Sequence, residues 1–239
     1  MGIDGNGDDD SYWQDVNNPR RNYGPSSFDA RQNVSGTANY QLPFGKGKQF
    51  GATWNRTTDG ILGGWQVSMN ARLNSGYPLT IHMNGEQCNN NCVENLSADF
   101  FGFANHYGPM KITGRGKNSA GIFKWFGTDP TAVPCTSHNT TQPAGNPCAY
   151  GRPSQDFGTT SVGTERGPGF QSYDMSLSKS LTTYKEESLK LRVDTFNTFN
   201  IASYGQPNTY LGGSTSTFGA ITGTNSAPRQ IQLSAVYQF

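Results

Sequence analysis

The chain of 239 residues is long enough for one or two globular domains, yet only 33% of it is apolar, and it carries 30 glycines and 13 prolines, a poor supply for a packed soluble core. Aromatic residues at 12%, charged residues at 15% and a formal net charge of +1 exclude the signature of intrinsic disorder, and the scattered lysines and arginines form no basic stripe for a nucleic-acid partner. No run approaches the roughly 18 apolar residues of a spanning helix.

The opening residues Met1–Asp10 carry no basic-then-apolar export signal, so Met1 is expected to be an internal methionine or the start of a truncated gene prediction. Asp4-Gly5-Asn6-Gly7-Asp8 places oxygen atoms at every second position, as a calcium loop does. Asp9 stands where such a loop has glycine and Asp15 where it ends in glutamate, so a solvated acidic loop is the preferred reading.

Alternation then sets in. Near 30–42, Val34, Gly36, Ala38, Tyr40 and Leu42 share one face, with Asn33, Ser35, Thr37, Asn39 and Gln41 on the other. After a connection around Pro43–Lys48, the segment 62–75 puts Trp65, Val67, Met69, Ala71 and Leu73 opposite Gln66, Ser68, Asn70, Arg72 and Asn74. A long segment, 76–169, follows and is read as a surface loop. It holds all four cysteines and all three histidines. Cys88 with Cys92 and Cys135 with Cys148 form two local pairs, which fits disulfides stapling a loop in an oxidising compartment; their connectivity stays open. A metal site using His82, His106 or His138 is the alternative, but the spacing matches no standard zinc pattern. Within this loop, Ala120–Phe126 has the makings of an extra hairpin.

Between 170 and 181, Tyr173, Met175, Leu177 and Leu181 oppose Asp174, Ser176, Ser178 and Ser180. The short polar turn Thr182–Glu187 leads into 187–199, where Leu189, Leu191 and Val193 back a charged row of Lys190, Arg192 and Asp194. The last segment, 228–239, places Ile231, Leu233, Ala235, Tyr237 and Phe239 on one face. Five strands of about ten residues each have the length that crosses a bilayer at a tilt of about 45°. The strands of a soluble β-sandwich are shorter, with evenly spaced turns. Here short and long connections alternate, as periplasmic turns and extracellular loops do in a membrane barrel. The fold expected is therefore all-β: an antiparallel up-and-down transmembrane β-barrel segment of five or six strands with long extracellular loops, in the outer membrane of a bacterium. Arg72, Asp174, Lys190, Arg192 and Asp194 are the candidate lumen-facing or ligand-facing residues.

Nothing points to catalysis or to a cofactor. There is no Gly-x-Ser-x-Gly elbow, no His-Glu-x-x-His, and Gly45-Lys46-Gly47-Lys48 has neither the spacing nor the following hydroxyl of a phosphate loop. The sequons at Asn33, Asn55, Asn95 and Asn139 arise readily by chance in a chain this rich in Asn, Ser and Thr.

Seven stretches, in order, carry a resemblance to the C-terminal region of TonB-dependent receptors of the Oar-like type: Gly24–Arg31 (GPSSFDAR), Tyr40–Lys48 (YQLPFGKGK), Leu62–Gln66 (LGGWQ), Ser75–Leu79 (SGYPL), Arg166–Phe170 (RGPGF), Val193–Asn200 (VDTFNTFN) and Pro228–Gln232 (PRQIQ). The resemblance covers most of the chain apart from the middle loop. It implies a 22-stranded barrel with a plugged lumen, of which this chain supplies a part, and whose upstream export signal, carboxypeptidase-like sandwich, energy-coupling box and plug lie outside it. It also implies a function: uptake of a bulky ligand across the outer membrane, driven by the TonB complex through the plug. The final alternation ending in Phe239 looks like the signal by which the barrel-assembly machinery recognises its clients. The expected partners are outer-membrane lipid, that machinery, the TonB complex and an unknown bulky ligand. The competing reading is an outer-membrane adhesin or surface-binding barrel without transport. A third is a soluble secreted β-protein that binds carbohydrate through Trp54, Trp65 and Trp125.

Overall fold

The computed structural model describes residues 17–83, 102–110, 112, 115–127, 149–151, 158–182, 187–211 and 217–239. They fall into two compact units, each taken by itself. One is built from Gln32–Asn74, Phe170–Ser203 and Asn225–Phe239; the other draws on Met1–Arg31, Ser75–Gly169 and Tyr204–Thr224.

The first unit is a single five-stranded sheet. Its strands are β1 (Asn33–Gln41), β2 (Trp65–Asn74), β3 (Phe170–Thr182), β4 (Ser188–Phe196) and β5 (Gln230–Gln238). They lie in sequence order, each antiparallel to the next, with β1 and β5 as the edges. The register keeps every apolar row on one face. Tyr40, Val67, Leu177, Val193 and Leu233 share one rung, and Ala38, Met69, Met175, Thr195 and Ile231 share the next rung on that face. Because side chains alternate with period two, a slip of one residue at any pair would carry a whole row to the wrong face, so the pattern itself fixes the register.

The expected strands overrun those observed by up to three residues, and at two ends the reason is local. The segment expected from 62 begins at Trp65 because α1 (Arg56–Leu62) and two glycines precede it. Asn55 caps α1 by accepting the Thr58 amide at 2.7 Å, so one apparent sequon is a helix start. The segment expected to run to 199 stops at Phe196 because Asn197 and Asn200 take positive φ, a conformation asparagine tolerates better than other non-glycine residues. Residues 183–186 of the short turn lie outside the described residues.

Asn33, Asn74 and Phe170 share a rung, and Phe196 pairs with Gln230, so the connections 75–169 and 197–229 leave from one end of the sheet and 42–64 and 183–187 from the other. The alternation of long and short connections thus has a topological basis. The 42–64 connection is no simple turn, since it carries α1.

The second unit shows that the expected long loop has a core of its own. Leu79, Ile81, Ala104, Phe126, Ala149, Tyr150, Leu211 and Phe218 are buried together, with Phe126 and Phe218 stacked at 5.1 Å between ring centroids. Short strands frame it: Pro78–Leu79 pairs with Glu165–Arg166, Asn105–His106 with Tyr150–Gly151, and His82–Met83 runs parallel to Tyr210–Leu211. Gly116–Lys117 and Phe123–Lys124 form the hairpin in the region expected to hold one, extended by Ala220–Ile221. Asn118 closes its turn, accepting the amides of Ala120 and Ile122. Lys124, buried in this small sheet, donates to the Phe218 carbonyl at 3.0 Å, and burial lowers its pKa.

One polar group is set against this core. The fully buried Tyr150 donates its hydroxyl to Glu165 Oε1 at 2.8 Å, and His106 stacks on the Tyr150 ring at 4.9 Å. Burial raises the Glu165 carboxyl pKa, and the Tyr150 hydrogen bond and the His106 charge only partly oppose that rise. Burial, then the Glu165 charge, raises the Tyr150 phenol, which stays protonated. A carboxyl raised on folding binds its proton more tightly in the folded unit than in the unfolded chain. Its contribution is therefore complete below the ordinary value of 4.5 and is lost as pH rises through the raised one. Hydrogen exchange at the Leu79 and Tyr150 amides, corrected for intrinsic rates, should show protection falling across that window in the native chain. In Glu165→Gln, which keeps an acceptor for Tyr150, the protection should be flat.

Candidate functional site

The sheet separates two chemistries. On its apolar face the edge strands carry large exposed side chains: Val34, Tyr40, Ile231, Leu233 and Tyr237 are each at least half exposed. A soluble sheet hides such a row against a second layer. Among the described residues of this unit there is one sheet and no second layer. Aromatic residues bracket the row. Tyr173 packs edge-on against Phe199 at 5.4 Å near the end with the long connections, and Trp65, Tyr237 and the fully exposed Phe239 lie towards the other. Leu181 lies eight steps along the strand from Tyr173, and its rung continues through Leu189 to Tyr237. That is about 27 Å of strand, or about 20 Å of height at a tilt of about 40°, close to the ~25 Å apolar band of membrane barrels.

The opposite face is polar, and two hollows among the described residues open there. One, of about 690 Å³, is lined by Asn33, Ser35, Asn70, Arg72, Asn74 and Phe170 among others. The second, of about 240 Å³, takes in Asp174, Ser176, Arg192 and Asp194. A polar face opposite a lipid-type apolar row is the division expected of a barrel wall with a wet interior.

All five residues expected on this side are on it, but they do not form one cluster. Arg72 lines the first hollow; Asp174, Arg192 and Asp194 meet at the second; Lys190, on the same face, lines neither. Arg192 Nε donates to Asp194 Oδ1 at 2.8 Å, and its Nη2 reaches the Ser176 hydroxyl at 3.5 Å. Asp174 is engaged differently. Its Oδ1 accepts the Asn197 amide at 2.9 Å and the Ser172 hydroxyl at 3.4 Å, so it holds the corner that ends β4. Asn197 completes that corner, exchanging hydrogen bonds with Ile201 and donating to the Ala227 carbonyl. This corner was not foreseen from the sequence; the pair of asparagines in Val193–Asn200 was its only signal.

Ile231, Leu233, Ala235 and Tyr237 lie on the apolar face of β5, with Phe239 beyond its last residue. Cys88, Cys92, Cys135, Cys148, His138 and the Asp4–Asp8 loop lie outside the described residues, whereas His82 and His106 are built into the second unit, His82 against Phe103 and Tyr210.

Compared with known families, residues 1–232 match the model described as an outer membrane beta barrel domain. The chain belongs to that family. It is a protein of the bacterial outer membrane, and the apolar row is its lipid face. No curated protein and no solved structure matched it. The soluble carbohydrate-binding reading is thereby set aside. Its third tryptophan, Trp125, is in any case occupied: its Nε1 donates to the Arg166 carbonyl at 2.8 Å, and Arg115 lies 3.8 Å over its ring.

Two substitutions separate the faces of this outer-membrane barrel segment. Leu177→Arg, in the middle of the lipid row, should cost about 2–4 kcal/mol in urea unfolding from vesicles, whereas Ser176→Arg beside it should cost little. On the polar face, Asp174→Ala should cost about 1.5–3 kcal/mol, since it leaves the Asn197 amide without its charged acceptor, while Asp194→Ala, losing one half-exposed ion pair, should cost under about 1 kcal/mol. Equal costs for the two aspartates would show that Asp174 does not anchor the corner.

Proposed function

We propose that this chain forms part of the barrel wall and the surface region of an Oar-like TonB-dependent receptor, one that takes up a bulky ligand and is not an enzyme. The observation that carries the reading is the polar face, where the Arg192–Asp194 pair and Arg72 line hollows on a sheet whose other side is apolar. Charge on that side suits a water-filled lumen that holds a plug or passes a polar solute. The sheet's two edges support a larger assembly, because an open edge in lipid leaves backbone groups unsatisfied at several kcal/mol each. Further strands, up to the 22 of the resembled receptors, would close it. In this reading Arg72, Lys190, Arg192 and Asp194 face the plug or the ligand, and β5 with Phe239 is read by the barrel-assembly machinery. The TonB complex acts through a plug encoded upstream, and Cys88, Cys92, Cys135 and Cys148 staple the outer loops.

A second reading, an adhesin or surface-binding barrel, draws support from the second unit, whose buried core around Ile81 and Tyr150 is more than a flexible loop needs. Mass spectrometry of the outer membrane of the source bacterium distinguishes the two. Peptides of this chain should map to one polypeptide that also carries a plug and an energy-coupling box; a mature product of 26.0 kDa would overturn transport and leave adhesion.

A further inference from the structure

The connection between β1 and β2 is a folded flap, and its contacts place it on the lipid side of the sheet. Trp65 and Lys179 are cross-strand partners in the apolar row. Both turn towards α1: Trp65 Nε1 donates to the Ile61 carbonyl at 2.9 Å, and Lys179 Nζ donates to the carbonyl oxygens of Gly63 and Asp59. Lys179 is 4% exposed and its ammonium lies 5.3 Å over the Trp65 ring. A lysine in a lipid-facing row is costly unless its charge is met, and here the carbonyls at the end of α1 meet it.

The rest of the flap is equally fixed. Gly64 donates to the Phe44 carbonyl, Lys46 donates its amide to Asp59 Oδ1 at 2.7 Å, and Phe50 donates its amide to the Pro43 carbonyl. A Cβ at Gly63 would stand 2.9 Å from Gly45 Cα, so the two glycine-bearing motifs close on each other. Held in this way, the flap exposes Phe44, Phe50, Ile61 and Leu62, with Ile61 63% and Leu62 52% exposed. Residues 42–64 carry Lys46, Lys48 and Arg56 against Asp59 alone. Lys48 donates to Gln41, while the exposed Lys46 and Arg56 are placed for an anionic surface.

We propose that this flap is an interfacial anchor: Ile61, Leu62 and the Phe44–Phe50 pair sit at the headgroup–acyl boundary of the leaflet next to the short-turn end of the barrel, with Lys46 and Arg56 on anionic phospholipid headgroups. Two observations fix lipid as the occupant. The flap is continuous with the lipid face through Trp65 and Lys179, and its cationic, apolar surface complements an anionic bilayer. The proposal needs only the outer-membrane placement, so it stands whether or not the barrel transports anything.

The test uses the protein as it occurs in the outer membrane, purified into phosphatidylcholine vesicles with and without phosphatidylglycerol. Ile61→Trp, at a position open enough to accept the ring, should add emission that is blue-shifted and quenched more by lipid brominated near the glycerol than by lipid brominated at the chain ends. Leu62→Trp should behave alike. Phosphatidylglycerol should increase the quenching, and the double variant Lys46→Gln/Arg56→Gln should lose that increase. Added emission that is red-shifted, quenched by aqueous acrylamide and indifferent to brominated lipid would place these side chains in water and overturn the anchor.

Discussion

Every other feature of this chain depends on one constraint: inside a bilayer no water is available to hydrogen-bond a backbone N–H or C=O, so each must find its partner in the protein. The five strands answer it by pairing with their neighbours over nearly their whole length, β2 with β3 from Asn74–Phe170 to Trp65–Lys179 without interruption. Once the ladder is continuous, period-two alternation does the rest. Successive rungs face lipid and the polar side in turn, and the two hollows lie on the polar side.

The ends of the strands are where that ladder must stop, and each stop is built from particular side chains. At the end with the long connections, Asp174, Asn197 and Ser203 take up the backbone groups released by β3 and β4; Ser203 both donates to and accepts from Gln171. At the other end the lysine in the lipid row spends its donors on the carbonyls at the end of α1. The sheet is thus framed at both ends by residues whose charge serves the fold. In mid-strand, Arg192 and Asp194 pair with each other on the polar face.

The strands were legible because alternation reports burial directly, and Lys190, Arg192 and Asp194 could be placed on one face from spacing alone. What spacing could not tell was how the polar groups spend their hydrogen bonds. Asp174 and Asp194 look alike in sequence, yet one is tied to a backbone amide and the other to an arginine. The core of the second unit was illegible for a different reason. Leu79, Ile81, Ala104, Tyr150 and Phe218 are brought together from distant segments, through strands of two residues each, too short to show any period.

The quoted motifs have a physical explanation in these contacts, for several are partners of one another. Asp29 of the first receives Arg166 of the fifth through its carboxylate at 2.9 Å and its carbonyl at 2.7 Å. Arg166 also donates to the carbonyl of Gly76 in the fourth, and a Cβ at Gly76 would stand 1.7 Å from the Gly167 oxygen. Within the sheet unit, the second and third motifs make the flap, and Asn197 of the sixth holds Ala227 just before the seventh. Each motif contains a glycine, proline or asparagine where the backbone turns or closely approaches another segment, and an apolar or charged residue that meets its partner. The motifs therefore read as the corners of the fold, and the alternating rows between them as its two faces.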